Sequence, residues 1–141
     1  MHLLDTNIVS ELRKLGDDRC DPGVAEWIRS QREETLFLSV VTLLEIGIGI
    51  KRLQRRDKIQ AEMLTEWFER RVIPGFEDRI LGIDAACALR CANLHVPDPR
   101  PERDAWIAAI ALENGLTVVT RNRKDFEPMA VPTINPFSGE A

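Results

Sequence analysis

At 141 residues, 44% of them apolar and 30% charged, the chain holds material for one soluble domain with a sizeable core. A net charge of −4 and a pI near 5.3 argue against a protein that holds nucleic acid by bulk positive charge. They leave room for an acidic pocket in which a divalent cation reverses the local field.

The chain opens on a short apolar run, Met1 to Leu4, which ends at Asp5-Thr6-Asn7; this predicts a buried strand meeting a helix cap, with a helix over Ile8 to Lys14. Pro22 to Gln31 predicts a second helix. Leu36 to Val41, apolar and partly β-branched, predicts a strand. It runs into Thr42-Leu43-Leu44-Glu45, the pattern of a capping box opening a helix that reaches about Leu53. Ile59, Met63, Leu64, Trp67, Phe68 and Val72 keep helical spacing up to Pro74-Gly75. Arg79 to Ile83 predicts a short strand, with Asp84 capping a helix over Ala85 to Leu94. After a proline-rich loop, Asp104 is placed as the N-cap of an apolar helix, Ala105 to Glu113. Leu116 to Thr120 predicts a β-branched strand, and Val131 to Ile134, with Pro132 inside it, an edge strand. Strands alternating with helices predict an α/β fold: an α/β/α sandwich around a mainly parallel sheet of four to five strands. A single domain over residues 1–141 is expected.

The opening residues lack a basic lead, and the longest apolar stretch, residues 36–50, contains Glu45 and falls short of the roughly 20 residues of a membrane span. A cytoplasmic protein with no membrane role is therefore expected. Cys20, Cys87 and Cys91 are read as buried thiols, because Cys87 and Cys91 have only His95 near them, too few ligands for zinc. His2 precedes a buried strand and is not placed as a base. Trp27, Trp67 and Trp106 sit on apolar helical faces and are read as core or interface.

Three acids fall where strands give way to helices: Asp5, Glu45 and Asp104. In a parallel sheet the ligand site lies beyond the carboxyl ends of the strands, so these carboxylates can converge there. Carboxylates held close in an apolar setting resist joint ionisation unless a cation neutralises them. Oxygen ligands without histidine or thiolate select Mg²⁺, or Mn²⁺, over zinc. Each acid also has a plainer reading. Asp5 and Asp104 suit helix N-caps, and Glu45 completes a capping box.

The order of the motifs adds a resemblance. Leu3-Leu4-Asp5-Thr6-Asn7-Ile8-Val9-Ser10-Glu11-Leu12 resembles the start of PIN domains of the VapC and FitB type. The segments Leu38 to Gly49, Arg103 to Ala111, Leu116 to Asn122 with Asp125-Phe126, and Asn135-Pro136-Phe137 resemble their later motifs in the same order. The likeness implies a PIN-like sandwich and a Mg²⁺- or Mn²⁺-dependent endoribonuclease acting as the toxin of a toxin–antitoxin pair. It implies Asp5 and Asp104 as metal ligands and Glu45 as the third catalytic acid, with Thr6 or Asn7 orienting water or ligand. It also implies a homodimer, an RNA substrate and a VapB-like antitoxin, with DNA reached only through that antitoxin. Many such domains carry a fourth acid after the last core strand, where this chain has Asn122; Asp125 either replaces it through water or caps the residues that follow. Arg103, Arg121 and Arg123 fall near the same edge and are candidate contacts to RNA phosphates, or solvated loop charges. Two other readings stay open: a non-catalytic partner in an antitoxin–DNA repressor complex, and a phosphotransferase working through an aspartyl phosphate on Asp5, which would ordinarily carry a second Asp at the position of Asn7.

Overall fold

The computed structural model describes residues 1–139. Five strands run through it: β1 (His2–Leu4), β2 (Leu36–Ser39), β3 (Ile80–Leu81), β4 (Thr117–Val119) and β5 (Thr133–Ile134). The helices are α1 (Thr6–Leu12), α2 (Pro22–Ser30), α3 (Val40–Gln54), α4 (Lys58–Trp67), α5 (Ile73–Gly75), α6 (Ala85–Leu94), α7 (Glu102–Glu113) and α8 (Arg123–Phe126). Every strand pairing is parallel, and the order across the sheet is β3-β2-β1-β4-β5.

Alternation along the strands assigns the two layers. Successive strand side chains point to opposite faces. Leu3 and Val118 therefore enter one core with α6 and α7 residues such as Cys87, Ala108 and Ile110. Leu4 and Val119 enter the other with Ile8, Val24, Ile46 and Ala61 from α1 to α4. All four strand residues are 0% exposed, so both faces of the sheet are covered. This is the expected α/β/α sandwich, with a sheet that is parallel throughout. Pro132 just precedes β5, which lies at the sheet edge where a missing N–H is tolerated.

Several boundaries differ from the sequence expectation, and two of them bear on the site. Helix α3 begins at Val40, because the Ser39 hydroxyl, not Thr42, caps it by accepting the Thr42 N–H at 3.2 Å. Glu45 then lies in the second turn, out of reach of any capping role. Helix α7 begins at Glu102 with Pro101 at its N-cap. The fixed φ of proline suits that position, so Asp104 becomes the third residue of the helix and caps nothing. Elsewhere α1 starts at Thr6 rather than Ile8, and the helix from Lys58 continues through a wide turn at Phe68–Val72 to Gly75. Strand β3 is two residues long, shorter than Arg79 to Ile83. All three cysteines are free and buried. His2 is partly buried, with its ring edge-on to Trp27 at 5.0 Å. Among the described residues no helix is long and apolar enough to cross a membrane.

The chain returns at its end to α2. Asp21 caps that helix through the Val24 N–H and also accepts from the Ser138 N–H and hydroxyl. Gly23 makes the approach feasible, since a Cβ there would lie 2.2 Å from the Pro136 carbonyl oxygen and 2.7 Å from the Ser138 nitrogen. Both are backbone atoms and cannot rotate away. In an ordinary helix Gly→Ala stabilises by up to ~1 kcal/mol. Gly23→Ala is instead expected to cost about 1–3 kcal/mol, the range for overpacking, measured as a lower denaturant midpoint at unchanged m-value.

Candidate active site

The strand order reverses direction at β1, with β2 on one side and β4 on the other. In a parallel sheet such a switch point leaves a crevice at the carboxyl ends of the strands. Asp5 stands there, as the residue after β1 and the N-cap of α1. Its N–H extends the β1–β4 ladder to the Val119 carbonyl at 2.9 Å, which fixes its backbone on both sides. The side chain is 5% exposed. Oδ1 accepts the Thr6 N–H at 2.8 Å, and Oδ2 accepts the Thr120 hydroxyl at 2.7 Å with a long contact from Asn7 Nδ2 at 3.4 Å.

Thr120 has no assigned role in the sequence reading, yet it is the residue that orients Asp5. The register pairs Leu4 with Val119, so Asp5 and Thr120 follow side by side. Thr120 is fully buried, and its oxygen also accepts the Asn122 N–H at 3.0 Å. Asn7 completes the junction by accepting the Arg121 N–H on Oδ1 at 3.1 Å. Both residues thus tie the start of α1 to the exit of β4.

Glu45 arrives from α3. Its Oε1 accepts the Thr6 hydroxyl at 2.6 Å, and its Oε2 lies 3.7 Å from Arg103. The Thr6 oxygen is also 3.2 Å from the buried Thr42 hydroxyl. A hydroxyl has one hydrogen to give. Thr6 therefore donates to Glu45 while Thr42 donates to Thr6, a short relay that holds the carboxylate on a helix it does not cap. Asp104 projects from the first turn of α7, and among the described residues nothing donates a hydrogen bond to its carboxylate.

The electrostatics show that the three acids share one region. Asp104 is pushed up to about 6, first by burial and then by the negative charges of Asp5, Asp125 and Glu45. Asp5 is raised too, chiefly by burial, against the lowering effect of the Thr120 and Thr6 hydrogen bonds, with Glu45 and Asp125 adding to the rise. Asp125 is exposed on the short helix α8 and acts on both acids through its field. Asn122, also exposed, offers its backbone N–H to Thr120 and makes no side-chain cap.

Of the three arginines, Arg103 lies 3.7 Å from an acid of the site, Glu45. Arg121 stacks its guanidinium 4.7 Å over the Phe137 ring, and Arg123 donates from Nε to the Thr133 hydroxyl at 3.2 Å.

The donors here are oxygens alone, a set that suits Mg²⁺ or Mn²⁺. Among the described residues no three His, Cys, Asp or Glu side chains are grouped so as to hold a metal ion. Magnesium commonly takes one or two carboxylates and keeps several waters, so a pair suffices. Asp5 retains lone pairs beyond those its donors use, and the Asp104 carboxylate is unbonded. Glu45 is held at Oε1 by the Thr6 hydroxyl, with Oε2 unbonded and facing Arg103 at 3.7 Å, and is better placed beside the ion than on it.

The chain resembles known proteins along nearly its whole length. The sequence pattern of the PIN domain matches residues 2–131. The chain is 37% identical to the plasmid stability protein StbB of Pseudomonas syringae pv. tomato, over 97% of this chain and 99% of that one. It is 33% identical to the VapC ribonuclease Y4jK of Sinorhizobium fredii, over 97% and 98%. Among solved structures, FitAcB from Neisseria gonorrhoeae superposes with a TM-score of 0.86 at 30% identity, over 96% of this chain and 98% of that one. A toxin–antitoxin complex from Klebsiella pneumoniae does so at 0.68 and 27%, over the full length of both. With the order of motifs, the all-parallel sheet and the acids at its switch point in agreement, this chain belongs to the PIN-domain family.

Proposed function

We propose that the protein is a Mg²⁺- or Mn²⁺-dependent endoribonuclease and the toxin of a toxin–antitoxin pair. The observation that carries this reading is the convergence of Asp5, Glu45 and Asp104 at one crevice when neither Glu45 nor Asp104 is used as a helix cap. Three acids brought together at a cost in electrostatic repulsion need a partner that repays it, and the relative named as a VapC ribonuclease supports RNA hydrolysis as the task.

Asp5 and Asp104 would hold the ion. When bound, it supplies an acidified water and stabilises charge on the phosphate. Thr120 and the Thr6 N–H keep Asp5 in one orientation, while Thr6 turns Glu45 so that Oε2 is left to take a proton. Arg103, now beside Oε2, is the cation nearest an incoming phosphate. Both Asp5 oxygens already accept hydrogen bonds, which disfavours Asp5 as a nucleophile forming an acyl phosphate. The intact acid trio likewise disfavours the non-catalytic repressor reading.

The same reading takes a VapB-like antitoxin as partner, as the toxin–antitoxin complex among the structural relatives supports, and has DNA reached only through that partner. It also takes a homodimer. The surface that supports a second copy is an exposed apolar one, since Trp67 and Phe68 are partly buried against the core. It is the outer side of α3, where Leu44 is 54% exposed and Val40 36%.

RNA cleavage is expected to stop in excess chelator and to return on adding Mg²⁺ or Mn²⁺, read by gel on a labelled RNA. Metal-stripped protein that still cleaves at the wild-type rate would refute the mechanism.

A further inference from the structure

Glu45 stands between two clefts. One, of about 590 Å³, passes Arg103, Asp104 and Trp106. The other, of about 320 Å³, leaves Thr6 and Glu45 between α1, α3 and α4. This second cleft has a largely apolar lining that includes Ile50 and Trp67. It also carries three cations, Arg13, Lys14 and Arg56, against Glu45 as its one acid. In a chain with 23 acidic and 19 basic residues that is a local reversal of charge. Lys14 is bonded to Glu11 at 2.7 Å. Among the described residues Arg13 and Arg56 form no ion pair.

Gly49 is the glycine of α3 that borders this cleft. It lies inside α3 and lines the cleft, exposed, and a Cβ there would meet nothing within 4 Å. Packing therefore does not require glycine, although glycine is among the poorest helix formers. A longer side chain at 49 would project into the space between the cations.

We infer that this cleft is a strand subsite of the nuclease proposed above, in which single-stranded RNA extending from the acids sets its phosphates on Arg13 and Arg56 and a base against Trp67. The inference rests on that nuclease reading. Charge favours RNA over a protein segment, because every nucleotide brings a phosphate for the arginines and a flat apolar face for the indole. Phosphate contacts contribute affinity without sequence, and aromatic side chains stack any base.

The test uses the Asp104→Asn protein, so that RNA is not consumed, and an oligouridylate followed by fluorescence anisotropy over a salt series. Each single-strand phosphate contact contributes about 0.7 to the slope of log K against log salt. The double variant Arg13→Ala/Arg56→Ala is expected to flatten the slope by about 1.4 and weaken binding at least tenfold. Arg13→Lys/Arg56→Lys should keep the slope, and Arg19→Ala, which does not line the cleft, should change nothing. Gly49→Gln should weaken RNA binding while raising Tm by a few degrees, since Gln favours the helix; that separates obstruction from unfolding. Unchanged affinity and slope in the double alanine variant, with wild-type protein still cleaving RNA, would overturn the subsite, give the cleft to a protein segment and leave the nuclease reading intact. Wild type that neither binds nor cleaves RNA would overturn both.

Discussion

Asp104→Asn is expected to leave the metal-free protein more stable and close to inactive. The stability half follows from the sign of the pKa shift. Burial and the neighbouring carboxylates raise Asp104 from 3.8 to about 6, so the folded state holds its proton more tightly than the unfolded chain. The charged form is the costly one in the fold. Its cost is absent below the unfolded pKa, grows as pH rises from near 4 to near 6, and is level above that. The full shift would be worth at most ~3 kcal/mol; with the side chain partly open to solvent, screening leaves on the order of 1 kcal/mol. Melting curves of wild type and variant should therefore coincide near pH 3.5, diverge between pH 4 and 6, and run parallel at pH 7, with the variant higher. Mg²⁺ should raise the wild-type Tm and the variant's much less. Cleavage at matched metal should fall by at least ~10², the scale of one lost electrostatic group in catalysis. A variant less stable than wild type at pH 7 without metal would show that Asp104 is a structural acid after all.

What the sequence made legible follows from what is local in it. The two-layer fold was readable because apolar runs of strand length alternate with amphipathic helices, and Leu3-Leu4 and Val118-Val119 are apolar on both faces. Asp5 was readable as a strand end. The helix starts that decide the meaning of Glu45 and Asp104 were misplaced, because Ser39 and Pro101 compete with Thr42 and Asp104 for the same caps and only packing chooses among them. Thr42-Leu43-Leu44-Glu45 fits a capping box by pattern alone, yet Glu45 bonds Thr6, 39 residues earlier. Thr120 stayed hidden for a different reason. Its function depends on the β1–β4 register, which joins residues 115 positions apart; a polar residue at the end of an otherwise apolar strand, beside the strand carrying Asp5, was the available signal. Arg121 and Arg123 were grouped with Arg103 by sequence proximity to the site, whereas Arg121 stacks on Phe137 and Arg123 donates to Thr133. The cleft over α3 depends on how α4 folds back, and nothing local encodes that.

Glu45→Gln is the sharper experiment, because the two roles of Glu45 now predict opposite outcomes. A capping-box glutamate replaced by glutamine would change little, since either reaches back to the helix start. The structure removes that role: the cap belongs to Ser39, and Glu45 is held by the Thr6 hydroxyl at 2.6 Å. Gln keeps a carbonyl oxygen able to accept that hydrogen bond, so the fold should survive with a change of at most about 1 kcal/mol, the net worth of one such bond. Charge and proton uptake at the other oxygen are lost, and cleavage should fall by at least ~10². Thr6→Val offers the companion measurement. It removes the donor to Glu45 but keeps the Thr6 backbone N–H on Asp5, so metal-linked stabilisation should persist while the rate drops. If Glu45→Gln cleaves RNA at the wild-type rate with Thr6→Val impaired, Glu45 is only a prop for Thr6. If both lose activity while each still gains stability from Mg²⁺, Glu45 acts on the reaction and Thr6 acts through it.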